Sequence, residues 1–468
     1  MTLPGGFVVA LNRHTRVIDD GRALLGGFPT RLVRLTARAR PLLIDRSVRV
    51  RDAAGAVLAD RLLENGMAHP VVRELPANPD PRHTYVIPVY DRARQLDRLL
   101  TSIGPGQSVI VVDDGSRRPD LIKDIADRHG ATLAVLPGNA GPAAARNAGL
   151  RLVGTPYVVF VDSDVVLPPD TVPLLLKHFT DPRVGMAVPR ITGLPTAAAC
   201  GWLGQYESAR SSLDLGAEPA AVRPGTPVSW ASTACSVARV DAMADGFDEG
   251  MRVGEDVDLC WRLIQDGWRI RYEPSVRAEH EQRVRLKDWM QRKAAYGTGA
   301  HPLAERHPEL IAPAVLAPWA SVLSIALLAQ RRWSLPVAGA VCGLTTLRIA
   351  RKLKDTQHPV RLATRLTTAG AVSALSQTGA LLTRHWWPLA ALGCTVSPRI
   401  RRAVAVAALA DVAREYRPGR VELAPVRYTV ARRLDDLAYG SGVWFSAVKG
   451  RRTTSLRPRL WSRSRSPN

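Results

Sequence analysis

The segment Tyr157-Val-Val-Phe-Val-Asp-Ser-Asp164 limits what this chain can fold into more than any other. Five apolar residues, most of them β-branched or aromatic, run without a polar interruption into Asp162 and Asp164, and Pro168 and Pro169 follow. An uninterrupted run of that kind reads as a strand buried on both faces, as in a parallel sheet between two layers of helices. The two carboxylates then stand at the strand's carboxyl end, where open α/β sheets place their ligands. A hard divalent cation such as manganese or magnesium takes one or two carboxylates together with substrate phosphate oxygens, and a short acidic turn suits it. Asp-x-Asp also occurs in ordinary turns, so the rest of the chain has to decide between the two readings.

The residues on either side supply the rest of a sheet. Thr84–Val89, Ser108–Val112 and Thr132–Leu136 read as strands, and the second runs into Asp113-Asp-Gly-Ser116. Leu96–Ile103, Pro119–His129 and Pro142–Leu152 read as the helices between them. This alternation predicts a doubly wound parallel α/β sheet in which two strands end in acids. Ala145-Arg-Asn-Ala-Gly149 lies on a helix that starts near the sheet's carboxyl edge, which aims Arg146 at an anion there; a plain surface arginine is the other reading. Glu255, Asp256 and Asp258 open another helix, where acids complement the helix dipole, and Asp258 with Arg262 forms an ordinary i,i+4 pair. His280, in Ala278-Glu-His-Glu281, is by itself more often a surface or core residue than a ligand.

At 468 residues the length suggests two or three domains. The formal charge of +22 points to an anionic partner: nucleic acid, an acidic membrane surface or a phosphorylated substrate. Five scattered cysteines with no Cys-x-x-Cys pair indicate neither a disulfide framework nor a zinc site, and a reducing cytoplasm fits them best. Met1–Ala10 lack the basic start and apolar run of a secretory signal.

Residues 1–76 form a first block. Phe7–Leu11 and Ala23–Leu25 read as strands around an Asp19-Asp-Gly21 turn, and Leu35–Leu43 and Gly55–Glu64 carry helical spacing, with Asn65-Gly66 as a stop. A small winged-helix-like α+β domain is expected, either a binding module or a structural adaptor. Residues 77–82 are a proline-rich linker. In residues 301–410 the composition turns apolar, at Ile311–Gln330, Trp333–Leu347, Thr367–Thr383 and Trp386–Val396. Only Ile311–Gln330 approaches the roughly 20 residues of a straight crossing. Basic residues at Arg348–Arg365 and Arg399–Arg402 allow four crossings in two hairpins with the α/β domain in the cytoplasm, although Arg331, Arg332 and Arg384 then sit on the wrong side. Re-entrant or interfacial helices and a buried soluble bundle remain alternatives. Residues 411–468 close the chain, and Arg451–Asn468 reads as a solvated basic tail drawn to anionic headgroups.

Taken in order, Tyr85-Val-Ile-Pro-Val-Tyr90, Val111-Val-Asp-Asp-Gly-Ser116, Asn139-x-Gly with Ala145-Arg-Asn147, Asp162-Ser-Asp164, Glu255-Asp256 and His280 resemble the family 2 glycosyltransferases of the GT-A fold over about residues 83–300. The resemblance implies a Rossmann-like, mostly parallel sheet, a nucleoside-diphosphate sugar donor and inversion at the sugar carbon. It implies that Asp113 and Asp114 meet the uridine, Asp114 being the base or ribose contact, and that Pro88 and Tyr90 line the nucleotide slot. Arg146 would lie near the diphosphate, and Asp162 would touch the ribose or the metal. Asp164 and His280 would be metal ligands and Asp256 the general base, with Glu255 beside it. Gln291 and Arg292, ahead of Tyr296-Gly-Thr-Gly299, would extend the diphosphate clamp, with Lys293 next to them. Processive members carry a Gln-x-x-Arg-Trp box, which this chain lacks. The opening block, with Leu24-Leu-Gly-Gly-Phe-Pro-Thr-Arg-Leu-Val-Arg-Leu-Thr36, followed by a family 2 domain and an apolar tail, resembles the mycofactocin-system glycosyltransferases along the whole chain. The block is also similar to the winged-helix peptide-recognition domains of ribosomal-peptide maturation. That likeness implies a peptide-derived redox cofactor precursor as acceptor, UDP-glucose as donor, a short β-linked glucose chain as product and no nucleic-acid partner. A family 2 enzyme acting on a cell-envelope polysaccharide or lipid, and a winged-helix nucleic-acid adaptor, are the competing readings. Acids at Asp113, Asp114, Asp162, Asp164, Glu255 and Asp256 would repel nucleic-acid phosphates unless a cation sat among them.

Overall fold

The computed structural model describes residues 2–196, 200–417 and 422–461. They form two compact units, Met1–Cys200 with Arg210–Gln282, and Gly201–Ala209 with Arg283–Asn468.

The first unit begins with the N-terminal block. Asp52 accepts a hydrogen bond from the Gly55 amide at 2.7 Å and so caps the helix Ala53–Glu64; Asn65 and Gly66 end it. Val8–Leu11 lies between Ser47–Arg49 and Ala68–Pro70, antiparallel to both. A second antiparallel sheet orders Arg16–Ile18, Ala23–Gly26 and Arg31–Arg34. The Asp19-Asp-Gly21 turn, with positive φ at all three residues, therefore joins Arg16–Ile18 to Ala23–Gly26 rather than the first strand. Leu35–Leu43 was expected to be helical but holds one 3-10 turn at Arg40–Leu42. Pro41 there lacks an amide proton and disfavours helix at the residue before it. The block is α+β with one α-helix among its described residues, where the winged-helix reading expected two.

The principal sheet has nine strands among the described residues. Its path runs Val165–Val166, Arg269–His280, Val184–Gly193, Cys235–Arg239, Tyr157–Val161, His83–Val89, Val109–Asp113, Thr132–Val135, and Ala220–Ala221 pairs with Arg269–His280 off that path. The four strands expected from the sequence pair in parallel. Cys235–Arg239 is antiparallel to both its neighbours, so the sheet is mixed. Every residue of Tyr157–Val161 is buried: Tyr157, Val159 and Val161 lie in a core with Ile87, Leu96, Val111, Val172 and Val237, and Phe160 meets Phe247. Asp60 and Glu64 of the N-terminal helix pair with Arg269, which also holds the buried Asp181 at 2.9 Å, and this ties the block to the sheet.

The second unit is helical. Leu286–Thr298 packs against Pro425–Lys449 around Tyr206, Trp289 and Tyr428. The expected membrane crossing is corrected here. Val315–Leu316 is a short strand paired with Arg459–Leu460, and Pro318 starts a helix that ends at Ala329. Its 12 residues rise roughly 18 Å, against a hydrocarbon core of about 30 Å. The longer helices Ser334–Lys352 and Pro359–Ala380 carry Arg348, Arg351, Lys352, Arg361 and Arg365. Among the described residues no helix is long and apolar enough to cross a membrane. The described part of the tail is anchored at Ser455 and Leu456, which are buried, and the Trp386 indole donates to the Leu456 carbonyl at 2.8 Å; Arg451, Arg452, Arg457 and Trp461 around them are exposed, as expected of a solvated basic segment. Residues 462–468 of the expected basic tail lie outside the described residues.

Candidate active site

Parallel pairing brings the carboxyl ends of three strands to one edge: Val89 lies opposite Asp113, and Phe160 opposite Val86. Asp113 is fully buried; its Oδ1 accepts from the Ser116 amide at 3.0 Å, and its Oδ2 has no hydrogen-bond partner. Asp114 accepts from the amides of Ala140 (2.7 Å) and Gly141 (3.0 Å), which fixes the loop that leads into the helix Pro142–Leu150. Gly115 is required between them: its φ is +73°, and a Cβ there would stand 2.6 Å from the Gly138 carbonyl carbon. The resemblance made Asp114 the base or ribose contact, whereas here both its oxygens hold backbone and Asp113 keeps the unsatisfied oxygen. Pro88 is half-buried at the end of the first strand, and Tyr90 beyond it is 43% exposed.

Arg146 is the hub of the edge. It is 3% exposed, and its two terminal nitrogens donate to Asp162 Oδ1 at 2.6 Å and Glu255 Oε1 at 3.1 Å. Its guanidinium lies 5.3 Å from the Phe247 ring centre. Burial works against its charge, yet Asp162 and Glu255 raise its pKa above the ordinary arginine value. Its two close anions are thus protein carboxylates. Asn147 on the same helix accepts from the Phe247 amide and donates to its carbonyl, both at 2.8 Å, so this helix also fixes the approach to Glu255–Gln265. Asp256, second residue of that helix, accepts from the Val257 amide at 2.8 Å. Burial first, and the Glu255 carboxylate second, push its pKa up to about 7, against the pull of Arg146. A half-buried carboxylate poised near neutrality is suited to proton abstraction.

Asp164 stands on the other side of the turn. Val165 pairs with His280, and the Glu281 amide donates to the Asp164 carbonyl at 3.0 Å. His280 Nε2 is accordingly 3.4 Å from Asp164 Oδ1, while Oδ2 accepts from Arg92. Among the described residues no group of three or more His, Cys, Asp or Glu stands together as a metal site. One carboxylate and one imidazole do stand together, and Asp162 is held by Arg146 instead. Two protein ligands, with phosphate oxygens and water to complete the shell, fit a magnesium- or manganese-type ion.

The model of glycosyl transferase family 2 matches residues 84–197, and that of glycosyl transferase family group 2 matches residues 157–395. Pre-mycofactocin glycosyltransferase of Mycobacterium tuberculosis is 42% identical over 470 residues, covering 98% of each chain. The chain belongs to glycosyl transferase family 2. Poly-beta-1,6-N-acetyl-D-glucosamine synthase of Staphylococcus aureus is 23% identical over 201 residues, covering 41% of this chain and 48% of the synthase. A mannosyltransferase of Pyrobaculum calidifontis, solved with GDP-Man and Mn2+, overlaps at a TM-score of 0.37 with 21% identity, covering 66% of this chain and 91% of that one.

This glycosyltransferase has a GT-A-like fold with a mixed sheet, and its first unit gathers Pro88, Tyr90, Asp113, Asp114, Arg146, Asp162, Asp164, Glu255, Asp256 and His280 along the strands' carboxyl edge and the adjoining loops. Gln291 and Arg292 are in the second unit; Gln291 is exposed, and Arg292 lies 5.6 Å from the Tyr296 ring centre. Their neighbour Lys293 is buried on Glu207 at 2.8 Å, which leaves it no part in a diphosphate clamp. Arg92 escaped the sequence reading. Its signal was its place, two residues past Tyr90 and one before the helix Ala93–Ile103, at the same edge as the acids.

Proposed function

We propose that this glycosyltransferase moves glucose from UDP-glucose onto a peptide-derived mycofactocin precursor, with inversion at the sugar carbon, and builds a short β-linked chain. The observation that carries the reading is the end-to-end match to the relative named pre-mycofactocin glycosyltransferase, 42% identical over 98% of both chains, which includes the N-terminal block. In this reading the block receives the peptide part of the acceptor.

The chemistry is a single displacement. The acceptor hydroxyl attacks the anomeric carbon, the bond from that carbon to the diphosphate oxygen breaks, and Asp256 takes the hydroxyl proton. Asp113 Oδ2, the unsatisfied carboxylate oxygen, serves as the acceptor for a nucleobase N–H. Arg146 acts through Asp162 and Glu255, holding the metal-side turn and the helix that carries the base in register. Asp164 and His280 would hold a divalent cation, manganese or magnesium, which would supply positive charge to the departing diphosphate.

The test is nucleotide release and acceptor mass change, with purified full-length protein, manganese, UDP-glucose and the peptide-derived acceptor. Hexose addition by the parent and its loss in Asp164→Ala and Asp256→Asn are expected. Sugar turnover only with polysaccharide or lipid acceptors would replace the acceptor and favour the likeness to the poly-N-acetylglucosamine synthase, which covers 41% of this chain.

A further inference from the structure

We propose that Arg92 competes with the divalent metal for Asp164, and that this competition makes metal and nucleoside diphosphate bind together rather than singly. The inference rests on reading Asp164 and His280 as the metal pair. Asp164 has a 10% accessible side chain whose two oxygens face two groups: His280 Nε2 at 3.4 Å and the Arg92 guanidinium. A dication on this carboxylate would face a guanidinium on the same group, and two positive charges sharing one carboxylate repel. Metal entry therefore requires Arg92 to leave Oδ2.

The surroundings allow that movement without unpinning the helix. The Arg92 side chain is 32% accessible and stands at the N-terminal end of Ala93–Ile103, outside the helix body. Leu96, Leu99 and Leu100 keep the helix in the core, and Arg98 holds Glu281, the residue after His280, at 2.6 Å. Once displaced, the guanidinium, with its planar fork of donors, would be free to grip the phosphate oxygens of a nucleoside diphosphate bound with the metal at Asp164. The energy lost at Asp164 is recovered only when a diphosphate is present. By linkage, the diphosphate then raises metal affinity and the metal raises diphosphate affinity by the same factor.

This fixes a sign that a merely structural arginine would not give. Removing a supporting side chain weakens metal binding or leaves it alone, whereas removing a competitor strengthens it. Mn2+ affinity would be measured by electron paramagnetic resonance on the full chain, with and without UDP, for the parent, Arg92→Met, Arg92→Lys, Arg98→Met and Asp164→Asn. Without UDP, Arg92→Met is expected to bind Mn2+ on the order of tenfold tighter than the parent, the size of one lost charged hydrogen bond. The further tightening caused by UDP should shrink in that variant by a similar factor. Arg92→Lys should stay near the parent, Arg98→Met should show no tightening, and Asp164→Asn should bind poorly. Unchanged or weaker Mn2+ binding by Arg92→Met overturns the competition and leaves the metal pair standing. Absence of Mn2+ binding by parent and Arg92→Met alike, even with UDP, overturns the competition and the metal pair together.

Discussion

At the scale of residues, Asp256 gives the sharpest expectation. Its pKa is pushed up to about 7 because burial disfavours its charge and Glu255 adds to the effect. A general base works only when deprotonated, so kcat/KM should rise with pH through about 7 and level off above it. Asp256→Asn should be slower by roughly 10²–10⁴ and lose that inflection. Stability carries the opposite sign. A carboxyl group whose folded pKa is raised binds its proton in the native state between about pH 4 and 7, so its contribution falls as pH rises through 7. Asp256→Asn should therefore melt above the parent at pH 8, by a margin that narrows at pH 5, and equal melting at both would contradict the burial of this charge. The residue types were legible in the sequence, but their partners were not. Arg146 was aimed at an anion, and its anions turned out to be Asp162, 16 positions away, and Glu255, 109 away. Tertiary packing brings those carboxylates to one guanidinium: Asp162 follows the strand Tyr157–Val161, and Glu255 opens a helix whose approach is tied to the Arg146 helix through Asn147 and Phe247.

At the scale of elements, local pattern predicted local structure well and non-local pairing poorly. The four strands of the parallel half carry apolar runs with turn residues beyond them, and all four formed. The order of Val184–Gly193, Cys235–Arg239 and Arg269–His280 depends on pairings between residues far apart in the chain, as where Met186 meets Ala238 and Gly193 meets His280, and no periodicity encodes such pairing. In the second unit, apolar composition suggested bilayer spans. The charges buried there tell against such a reading: Asp436 is fully buried and pairs with Arg384 at 3.0 Å, and Lys293 with Glu207 at 2.8 Å. The helices Leu286–Thr298 and Pro425–Lys449 approach closely where Gly297 meets Gly442. A Cβ at Gly442 would stand 1.9 Å from the Ala294 carbonyl oxygen, a backbone atom that cannot rotate aside. Gly442→Ala should push the helices apart and cost about 1–3 kcal/mol. Urea unfolding followed by tryptophan fluorescence would report it through Trp289, which lies at this helix pair; an unchanged midpoint would mean that the helices do not meet this closely.

At the scale of the whole molecule, a net charge of +22 and the surface of the second unit bear on where the enzyme works. We infer attachment to the cytoplasmic face of an anionic membrane by helices lying on it. What supports the reading is the side chains the helices leave in solvent. Ile325, Leu335, Leu392, Val396 and Leu409 are each at least 66% exposed. Exposed Arg348, Arg351, Lys352, Arg401 and Arg402 lie on the same or neighbouring helices. Apolar side chains with basic neighbours favour the boundary between headgroups and acyl chains, where burial and attraction to anionic lipid add. Such binding differs from spanning in one measurable way. Attraction between exposed charges is screened as the Debye length falls from about 10 Å at 0.1 M salt to about 3 Å at 1 M, whereas a spanning helix is indifferent to salt. The full-length protein should float with vesicles containing phosphatidylserine at 0.1 M salt, float less at 1 M, and float little with neutral vesicles. Replacing Ile325 and Leu335 by serine should weaken flotation while leaving sugar transfer to a soluble acceptor intact. Flotation that resists both salt and those substitutions would point to another anchor, and no flotation at low salt would sink the interfacial reading.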